Sequence, residues 1–441
     1  MPGHRSYRWT ELWLLLFPSL FLIVGLWTLL SVPLILSGSQ DKVGTLPPLD
    51  SFTPALGLIA VLLLAHIALI IIAPDADQTI LPIAGTLSSI GVLMALRLGP
   101  SLGDPSLGIR QLIWVIAGLV LCVLTVRFTR DLRWVRNYKY TWAAVGIALV
   151  AFTLVRARSF STNAPSRDVL SIGPGGLSFQ PSELLKICLV IFFAGYLSEN
   201  REMLKEAHFQ VWKFKLPPLK HLGPLLAMLG IALLIFVGVR ELGLAILIFG
   251  LFLSMLYVAS ERPLYIVTSI ALFVFGAFVA YHLFSYARER VGLVTNAFGQ
   301  ATGAGYQIVQ GLVAFGTGGV LGTGFGLGHP CIVPACTTDF VASSFGEEFG
   351  FAGVLALIAL FMLLVYRGMH VAVGARGSFN QLLAVGLTAV FGLQTLVILA
   401  GNLKLLPLTG VPLPFVAYGG SSVIANFIII GLLLRLSQST A

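Results

Sequence analysis

The carboxylates of this sequence that could carry chemistry stand beside apolar stretches. Asp339 precedes an apolar run, residues 345–366, that is long enough to cross a bilayer, so its side chain is predicted to lie at a membrane surface. A carboxylate there is a candidate general base, because partial burial raises its pKa towards the working pH. Glu348 is a second candidate, whereas Glu347 fits a Ser-x-x-Glu capping box with Ser344 at the start of the helix.

Two other places bring charge into apolar runs. Glu183 and Lys186 lie three residues apart at the start of a predicted helix and can pair on one face. Pro181 and an acidic first turn are also ordinary features of a helix start, but ionisable groups in a membrane helix are costly, which favours a functional role. Arg240 and Glu241 separate two apolar runs. One interpretation is a tight turn in which Arg240 and Glu241 form an ion pair with each other. The other is that Glu241 joins a buried network with Lys186.

The longest connection, residues 285–344, carries Arg288 and Arg290 followed by many glycines. Loops of this length are usually functional or disordered, and this one is not polar enough to be disordered. Residues 305–315 predict a short helix on or in the membrane surface. The glycine-rich turns beside it would let backbone amides approach an anion, although a glycine-rich loop alone is weak evidence for phosphate binding.

Two cysteines, Cys331 and Cys336, lie in the same connection. If it faces an oxidising exterior they form either a disulfide or a pair of free thiols, and their spacing does not match a zinc site. The last connection before the C-terminal helix is rich in proline and glycine. It predicts a rigid, non-helical wall of a cavity beneath the long connection, because such backbone is tolerated at membrane depth only where protein or water satisfies it.

Composition identifies the elements that must position these residues. The chain has 441 residues, of which 57% are apolar, with 27 Lys and Arg, 18 Asp and Glu, and a mean hydropathy of +0.94. These values exclude a soluble domain and predict an all-α polytopic membrane protein. The net charge of +9 is attributed to topology and to contact with anionic membrane lipids. No basic run is interleaved with aromatic residues, so no nucleic-acid role is predicted.

About twelve transmembrane helices are predicted. The apolar runs of spanning length are residues 12–36, 52–73, 79–97, 110–127, 140–156, 181–197, 223–239, 242–259, 263–284, 345–366, 380–400 and 421–436.

The charged connections predict the orientation. Residues 127–139 and 201–220 are rich in Lys and Arg and belong on the cytoplasmic side by the positive-inside rule. With twelve helices, both termini are then cytoplasmic and Asp339 faces outward. The first apolar run is too long for a cleaved signal peptide and predicts a retained anchor. Residues 1–75 are predicted to be a two-helix N-terminal extension, and residues 76–441 one membrane core.

Six short motifs follow one another along the chain: Phe-Gln-Pro-Ser-Glu-Leu (179–184), Gly-Tyr-Gln (305–307), Thr-Asp-Phe (338–340), Gly-Glu-Glu-Phe-Gly-Phe (346–351), Gly-Val-Pro-Leu-Pro-Phe (410–415) and Tyr-Gly-Gly-Ser-Ser (418–422). Taken together, they resemble the SEDS family (shape, elongation, division and sporulation) of RodA and FtsW proteins. The match runs in order from about residue 81 to the C-terminus. The family's usual core has ten helices, so residues 1–75 resemble the two additional helices of longer RodA-like members.

The resemblance implies a peptidoglycan glycosyltransferase of the bacterial cytoplasmic membrane. Such an enzyme polymerises lipid II at the outer face for elongation or division, beside a class B penicillin-binding protein that makes the cross-links. Asp339 matches the family's catalytic aspartate, and Glu183 and Lys186 match its characteristic pair. The chain departs from the family at residues 240–243, where Arg-Glu-Leu-Gly replaces the common Pro-Asp-Leu-Gly, and at Ala417, where serine is usual. These departures bear on how the donor is bound.

In the expected reaction Asp339 takes a proton from a sugar hydroxyl, which displaces a polyprenyl diphosphate. The developing negative charge calls for a cation, and the candidates are Arg288, Arg290, Lys404 or a divalent metal such as Mg²⁺ or Mn²⁺. The alternative is a lipid II flippase or transporter with Glu183, Lys186 and Glu241 on a midplane ion path. A non-enzymatic scaffold is a third reading.

Overall fold

The computed structural model describes residues 8–36, 49–160, 170–172, 177–205, 209–211, 214–216, 223, 226–234 and 241–438. Within these ranges the chain is largely helical, which confirms the predicted all-α membrane fold. Two short antiparallel hairpins join β1 (Leu170–Ile172) to β2 (Leu177–Phe179) and β3 (Phe209–Val211) to β4 (Phe214–Leu216). The helices are α1 (Trp9–Leu14), α2 (Leu16–Leu36), α3 (Thr53–Ile72), α4 (Ile80–Ser101), α5 (Leu107–Phe128), α6 (Arg133–Asn137), α7 (Lys139–Phe160), α8 (Pro181–Glu199), α9 (Arg201–Lys205), α10 (226–234), α11 (Leu242–Ser260), α12 (Pro263–Leu283), α13 (Ser285–Asn296), α14 (Tyr306–Gly318), α15 (Val341–Gly374), α16 (Ser378–Asn402) and α17 (Gly420–Ser437).

Ten helices in the described part of the chain are long and apolar enough to cross a membrane, and they coincide with ten of the twelve predicted runs. The run 140–156 coincides with α7, in which Lys139–Phe152 is a shorter apolar helix. The run 223–239 lies partly outside the described residues, and only 226–234 within it is described as a continuous helix. The protein is therefore a multi-pass membrane protein, and the count of twelve spans stays a prediction.

Four helices, α4, α8, α16 and α17, form the centre of the bundle. Between 72% and 89% of the central window of each is buried, against 6% for α12 at the periphery. Small residues allow the central helices to approach their neighbours closely, as is common in membranes. A Cβ at Gly431 of α17 would lie 2.7 Å from the Cys122 carbonyl oxygen of α5. The polar residues of the site therefore rest on a tightly packed frame.

The N-terminal helices α1 and α3 are joined to each other by a buried polar cluster. The guanidinium group of Arg8 donates to the carbonyl oxygens of Ala73 at 2.9 Å and Ala76 at 2.7 Å, at the C-terminal end of α3. Glu11 pairs with Arg8 and contacts Nδ1 of His66 at 2.7 Å. The described part of this region packs against the bundle through α2, where a Cβ at Gly25 would lie 2.5 Å from Leu93 Cδ1 of α4. The domain boundary at residue 75 itself stays a prediction.

The long connection 285–344 is built largely of helices. The short helix predicted at 305–315 is confirmed as α14, which lies directly on α15. A Cβ at Gly311 of α14 would meet the Phe340 ring at 2.5 Å, and one at Gly318 would meet the Gly346 carbonyl oxygen at 2.1 Å. Because only glycine leaves room at these points, α14 is held against the start of α15.

A break at Gly350 divides α15 into two parts. Gly350 has φ 68° and ψ −171°, a conformation that is essentially restricted to glycine. Before the break, the Glu347 carbonyl accepts from the Thr323 amide at 2.9 Å, and after it the Phe351 amide donates to the Gly319 carbonyl at 2.9 Å. The glycine-rich segment 319–324 therefore pairs the backbone groups that the break frees, as a membrane interior requires.

The predicted start of this helix is wrong. The helix begins at Val341, about one turn earlier than expected, and the Ser344 hydroxyl donates to the Cys336 carbonyl at 3.0 Å from inside the helix. Glu347 accepts from the backbone amide of His329 at 2.8 Å. The expected capping box is absent because tertiary contacts with the long connection engage both of its members.

We expect Gly350→Ala to lower the stability of the protein by about 1–3 kcal/mol through backbone strain, and by a further amount through a close contact that the control below lacks. The added Cβ would also lie 2.2 Å from the Gly322 amide nitrogen, which cannot move without breaking the pairing described above. Gly377→Ala is the matched control, since Gly377 also has positive φ, 88°, but an added Cβ would have nothing within 4 Å. Thermal denaturation in detergent measures both variants. If both variants lose the same stability, the close contact at Gly350 does not contribute to the loss.

Candidate active site

Asp339 lies at the end of a tight turn directly before α15. The turn is closed by the Thr338 and Phe340 amides, which both donate to the Ala335 carbonyl, at 3.1 and 3.2 Å. The carboxylate is half-buried, and no described residue holds it by a hydrogen bond or ion pair. Burial raises the pKa of Asp339, and the positive charge of Arg290 opposes part of that rise. The side chain is thus in a position to accept a proton.

A second carboxylate, that of Glu241, borders the same space. A Cβ built on Gly410 would lie 3.4 Å from Glu241 Oε2 and 4.0 Å from Asp339 Oδ2. Glu241 is 3% exposed and immediately precedes α11. Gly243 allows this approach, because a Cβ there would lie 2.2 Å from the Thr409 Cβ. Two acidic groups from distant parts of the sequence therefore meet at the connection between α16 and α17.

That connection, residues 403–419, is non-helical as predicted and is anchored from several sides. Arg290 of α13 donates to the Leu408 carbonyl, and the Tyr418 amide donates to the Thr337 carbonyl at 2.8 Å. Phe415 is buried at φ 63° and packs against aromatic rings of α16 and α17. These contacts fix Gly410 relative to both carboxylates.

The predicted pair of Glu183 and Lys186 forms within α8. The Lys186 ammonium lies 2.9 Å from Glu183 Oε2 and also donates to Gln394 Oε1 at 2.7 Å, and all three side chains are fully buried. The Gln394 amide in turn donates to the Pro412 carbonyl at 2.6 Å. The network therefore joins α8 and α16 to the 403–419 connection. Sequence reasoning missed Gln394, although a glutamine inside the apolar run 380–400 was an available signal.

Glu348 belongs to a different cluster. Its Oε1 lies 2.9 Å from Arg97 Nε of α4, and Arg97 Nη2 donates to the Gly328 carbonyl at 2.8 Å. Glu348 follows Asp339 by nine positions, about 13 Å along a helix axis. Through Arg97, Glu348 therefore secures Gly328 of the long connection to α4. Arg97 was also missed, although a lone arginine at the end of an apolar run is unusual.

The three cations predicted from sequence are placed differently. Arg290 alone of the three acts electrostatically on Asp339 within the described structure. Arg288 is exposed, donates to the His282 carbonyl at 3.0 Å and lies 5.8 Å from the centre of the Tyr281 ring. The Lys404 ammonium lies 5.2 Å from the centre of the Phe298 ring. Arg288 thus lies where α12 meets α13, and Lys404 lies near the start of the 403–419 connection.

The two cysteines of the long connection are close neighbours. Cys331 and Cys336 are free thiols with their sulfur atoms 3.0 Å apart. Among the described residues there is no group of three or more His, Cys, Asp or Glu side chains that could hold a metal ion.

An apolar cavity adjoins the polar site. It has a volume of about 490 Å³ and lies among α10, α11, α12 and α13. Three of its lining residues are sequence neighbours of site residues: Leu242 follows Glu241, Val291 follows Arg290 and Pro407 precedes Leu408. Exposed apolar side chains such as Leu234, Leu272 and Phe275 line its outer part. The cavity therefore extends from a lipid-facing surface to residues adjacent in sequence to the site, and its apolar lining suits a long hydrocarbon chain.

Residues 77–441 match the family model of the FtsW, RodA and SpoVE type, described as "Cell cycle protein". "Peptidoglycan glycosyltransferase RodA" of Mycobacterium tuberculosis (strain H37Rv) is 34% identical, over 99% of this chain and 92% of that protein. "Probable peptidoglycan glycosyltransferase FtsW" of Geobacter metallireducens is 32% identical, over 74% of this chain and 84% of that protein.

Solved structures show the same fold. One, described under "Structural coordination of polymerization and crosslinking by a peptidoglycan synthase complex", has a TM-score of 0.65 at 25% identity and covers 83% of this chain and 98% of its own. A crystal structure of Thermus thermophilus Rod shape determining protein RodA has a TM-score of 0.57 at 24% identity, over 82% of this chain and 96% of its own. With a matching family model over most of its length and a full-length relative at 34% identity, this chain belongs to the FtsW, RodA and SpoVE family.

Proposed function

We propose that this protein is a peptidoglycan glycosyltransferase that polymerises lipid II, with Asp339 as the general base. One observation carries the assignment of the base: the Asp339 carboxylate has no partner in the described structure, borders Gly410 together with Glu241, and is under the electrostatic influence of Arg290. The names of the relatives support the activity, and the cavity supports a lipid-linked substrate.

The proposed reaction joins two lipid-linked sugars. The 4-hydroxyl oxygen of the acceptor attacks the anomeric carbon of the growing strand, and its proton passes to Asp339. The bond from that carbon to the polyprenyl diphosphate breaks with inversion. A base within hydrogen-bond reach of the hydroxyl and with a raised pKa is suited to this transfer. Arg290 is the first candidate to stabilise the charge on the leaving diphosphate, with Arg288 and Lys404 at the periphery.

Asp339 and Glu241 also fit a divalent cation. Mg²⁺ is commonly held by one or two carboxylates together with substrate phosphates, and these two side chains both border Gly410. Such an ion would neutralise part of the diphosphate charge.

The remaining site residues act indirectly, by positioning backbone segments around the site. Glu183 and Lys186 position the 403–419 connection through Gln394, and Glu348 positions Gly328 of the long connection through Arg97. Their role is to hold the substrate-facing backbone in place.

Asp339 is placed on the outer face of the bacterial cytoplasmic membrane and both termini in the cytoplasm, in keeping with the basic connections. Residues 1–75 are an extension of the core 76–441. The partner is a class B penicillin-binding protein, since a related structure is described as a complex that coordinates polymerisation with crosslinking.

Purified protein in detergent, supplied with lipid II, tests the activity. We expect glycan strands to accumulate, with greater yield when the partner is added. The same preparation in vesicles tests the alternative of a flippase, by following exposure of labelled lipid II on the opposite leaflet. Strand synthesis without translocation supports the proposal. Translocation without strand synthesis overturns it, and the absence of both favours a scaffold.

The charge of Arg290 gives a pH prediction. Arg290 lowers the pKa of Asp339, so Arg290→Gln removes an opposing effect and the pKa rises further. Because the base acts in its deprotonated form, the ascending limb of the pH–rate profile is expected to move to higher pH. Arg288→Gln is the control, since Arg288 contacts α12 and leaves that limb unchanged. A uniform fall in rate without a shifted limb would contradict the coupling of Arg290 to Asp339.

A further inference from the structure

A second cavity lies at the end of the bundle opposite Asp339. Asp339 precedes the N-terminus of the 34-residue helix α15, whereas Arg376 of this cavity follows its C-terminus. At about 1.5 Å per residue, the part of α15 that follows the break at Gly350 alone spans roughly 36 Å. The volume of the cavity is about 730 Å³, within the range of roughly 300–1,000 Å³ that ligand sites occupy. It is therefore a feature distinct from the candidate active site.

The lining of this cavity is strongly basic. Five arginines line it, Arg130, Arg133, Arg136, Arg376 and Arg435, with only two aspartates, Asp75 and Asp131.

Two of the arginines have carboxylate neighbours. Arg133 lies 3.9 Å from Asp131, and Arg136 lies 3.9 Å from Glu199. For Arg130, Arg376 and Arg435 the described residues provide no carboxylate within ion-pair distance. Arg435 donates instead to two neutral acceptors, the Gln438 side-chain oxygen and, at 2.7 Å, the Arg130 carbonyl. Uncompensated guanidinium groups around one concave space favour an anion as its occupant.

The N-terminus of α16 opens onto the same space. Ser378, Phe379 and Asn380, its first three residues, line the cavity, and Gly377 before them has no side chain with which to cap the helix. First-turn amides have no partner inside a helix, and the positive end of the helix dipole favours a phosphate there. This feature is independent of the arginines and points to the same class of ligand. Membrane topology accounts for positive residues near helix ends, but it does not require them to converge on an uncapped helix start.

We propose that this basic cavity binds the phosphate group of an anionic ligand, either a membrane-lipid headgroup or a free phosphate. Arginine suits this task because its planar group donates two parallel hydrogen bonds to phosphate oxygens. The proposal does not depend on the glycosyltransferase reaction, since none of the lining residues belongs to the Asp339 site.

The test is calorimetric titration of the purified full chain in neutral detergent. One arm uses short-chain phosphatidylglycerol, with short-chain phosphatidylcholine as the zwitterionic control. The other arm uses inorganic phosphate against chloride at equal ionic strength. The variants are Arg130→Gln and Arg376→Gln. The control is Arg127→Gln, an exposed arginine in the last turn of α5 that does not line the cavity.

We expect each cavity variant to weaken binding about tenfold or more, as the loss of a charged hydrogen-bonding partner does, and the control to stay within about twofold. Saturable binding of phosphatidylglycerol but not of phosphate identifies a lipid, and the reverse identifies a free anion. Absence of saturable binding in both arms overturns the proposal. So does an equal loss in Arg127→Gln. Retained strand synthesis or an unchanged denaturation midpoint shows that the variants are folded.

Discussion

Asp339→Asn is expected to abolish glycan strand synthesis while the protein stays folded. Asparagine keeps the shape of the side chain but cannot accept the proton, and loss of a general base reduces rates by about 10²–10⁴-fold. The wild-type carboxylate has no structural partner among the described residues, so no stabilising contact is lost with it. The measurement is polymer yield from lipid II with the purified variant, together with its denaturation midpoint.

The matched control is Asp104→Asn. Asp104 lies between α4 and α5 and pairs with Arg110 at the surface, so its loss is expected to leave strand synthesis near the wild-type level. Equal activity of Asp339→Asn and Asp104→Asn would remove Asp339 as the base. Loss of activity in both would point to a general need for surface charge.

Lys186→Met is expected to lower the free energy of unfolding by about 3–5 kcal/mol, because it leaves the charge of Glu183 buried without its partner. It also deprives Gln394 of the contact that connects α8 to the 403–419 connection. The double variant Glu183→Gln with Lys186→Met removes both charges and should recover much of the loss. Thermal and denaturant-induced unfolding in detergent provide the comparison.

An exposed pair provides the control for this second prediction. Asp131 and Arg133 are 68% and 90% exposed in their side chains, so Arg133→Met is expected to leave the unfolding midpoint unchanged. The prediction fails if the Lys186 single variant is as stable as the double variant. That result would mean that water or lipid headgroups reach Glu183 and replace the lysine.

Several features were open to prediction from the sequence because they depend on local pattern. The apolar runs predicted ten of the helices that can span a membrane, since a bilayer requires a continuous apolar helix. The spacing of Glu183 and Lys186 predicted their pairing, because residues three apart share a helix face. The apolar middle of the long connection predicted α14.

Other features depended on contacts between distant residues. Arg97 and Glu348 are 251 positions apart, and Lys186 and Gln394 are 208 positions apart. No local sequence pattern therefore predicts either contact. The capping box at Ser344 failed for the same reason, since both of its residues bond to the long connection. Local signals for a helix start are weak compared with such tertiary hydrogen bonds.

The sequence by itself determined that this chain is a helical membrane protein with a carboxylate at the edge of a spanning helix. It did so because the length of each apolar run and the charges at its ends can be read directly from the order of the residues. Only the tertiary structure decided that Glu241 and Asp339 meet at Gly410, that Glu348 is paired elsewhere, and that α15 breaks at Gly350. Those outcomes depend on how closely glycines let separate segments approach, which is a property of packed surfaces in three dimensions.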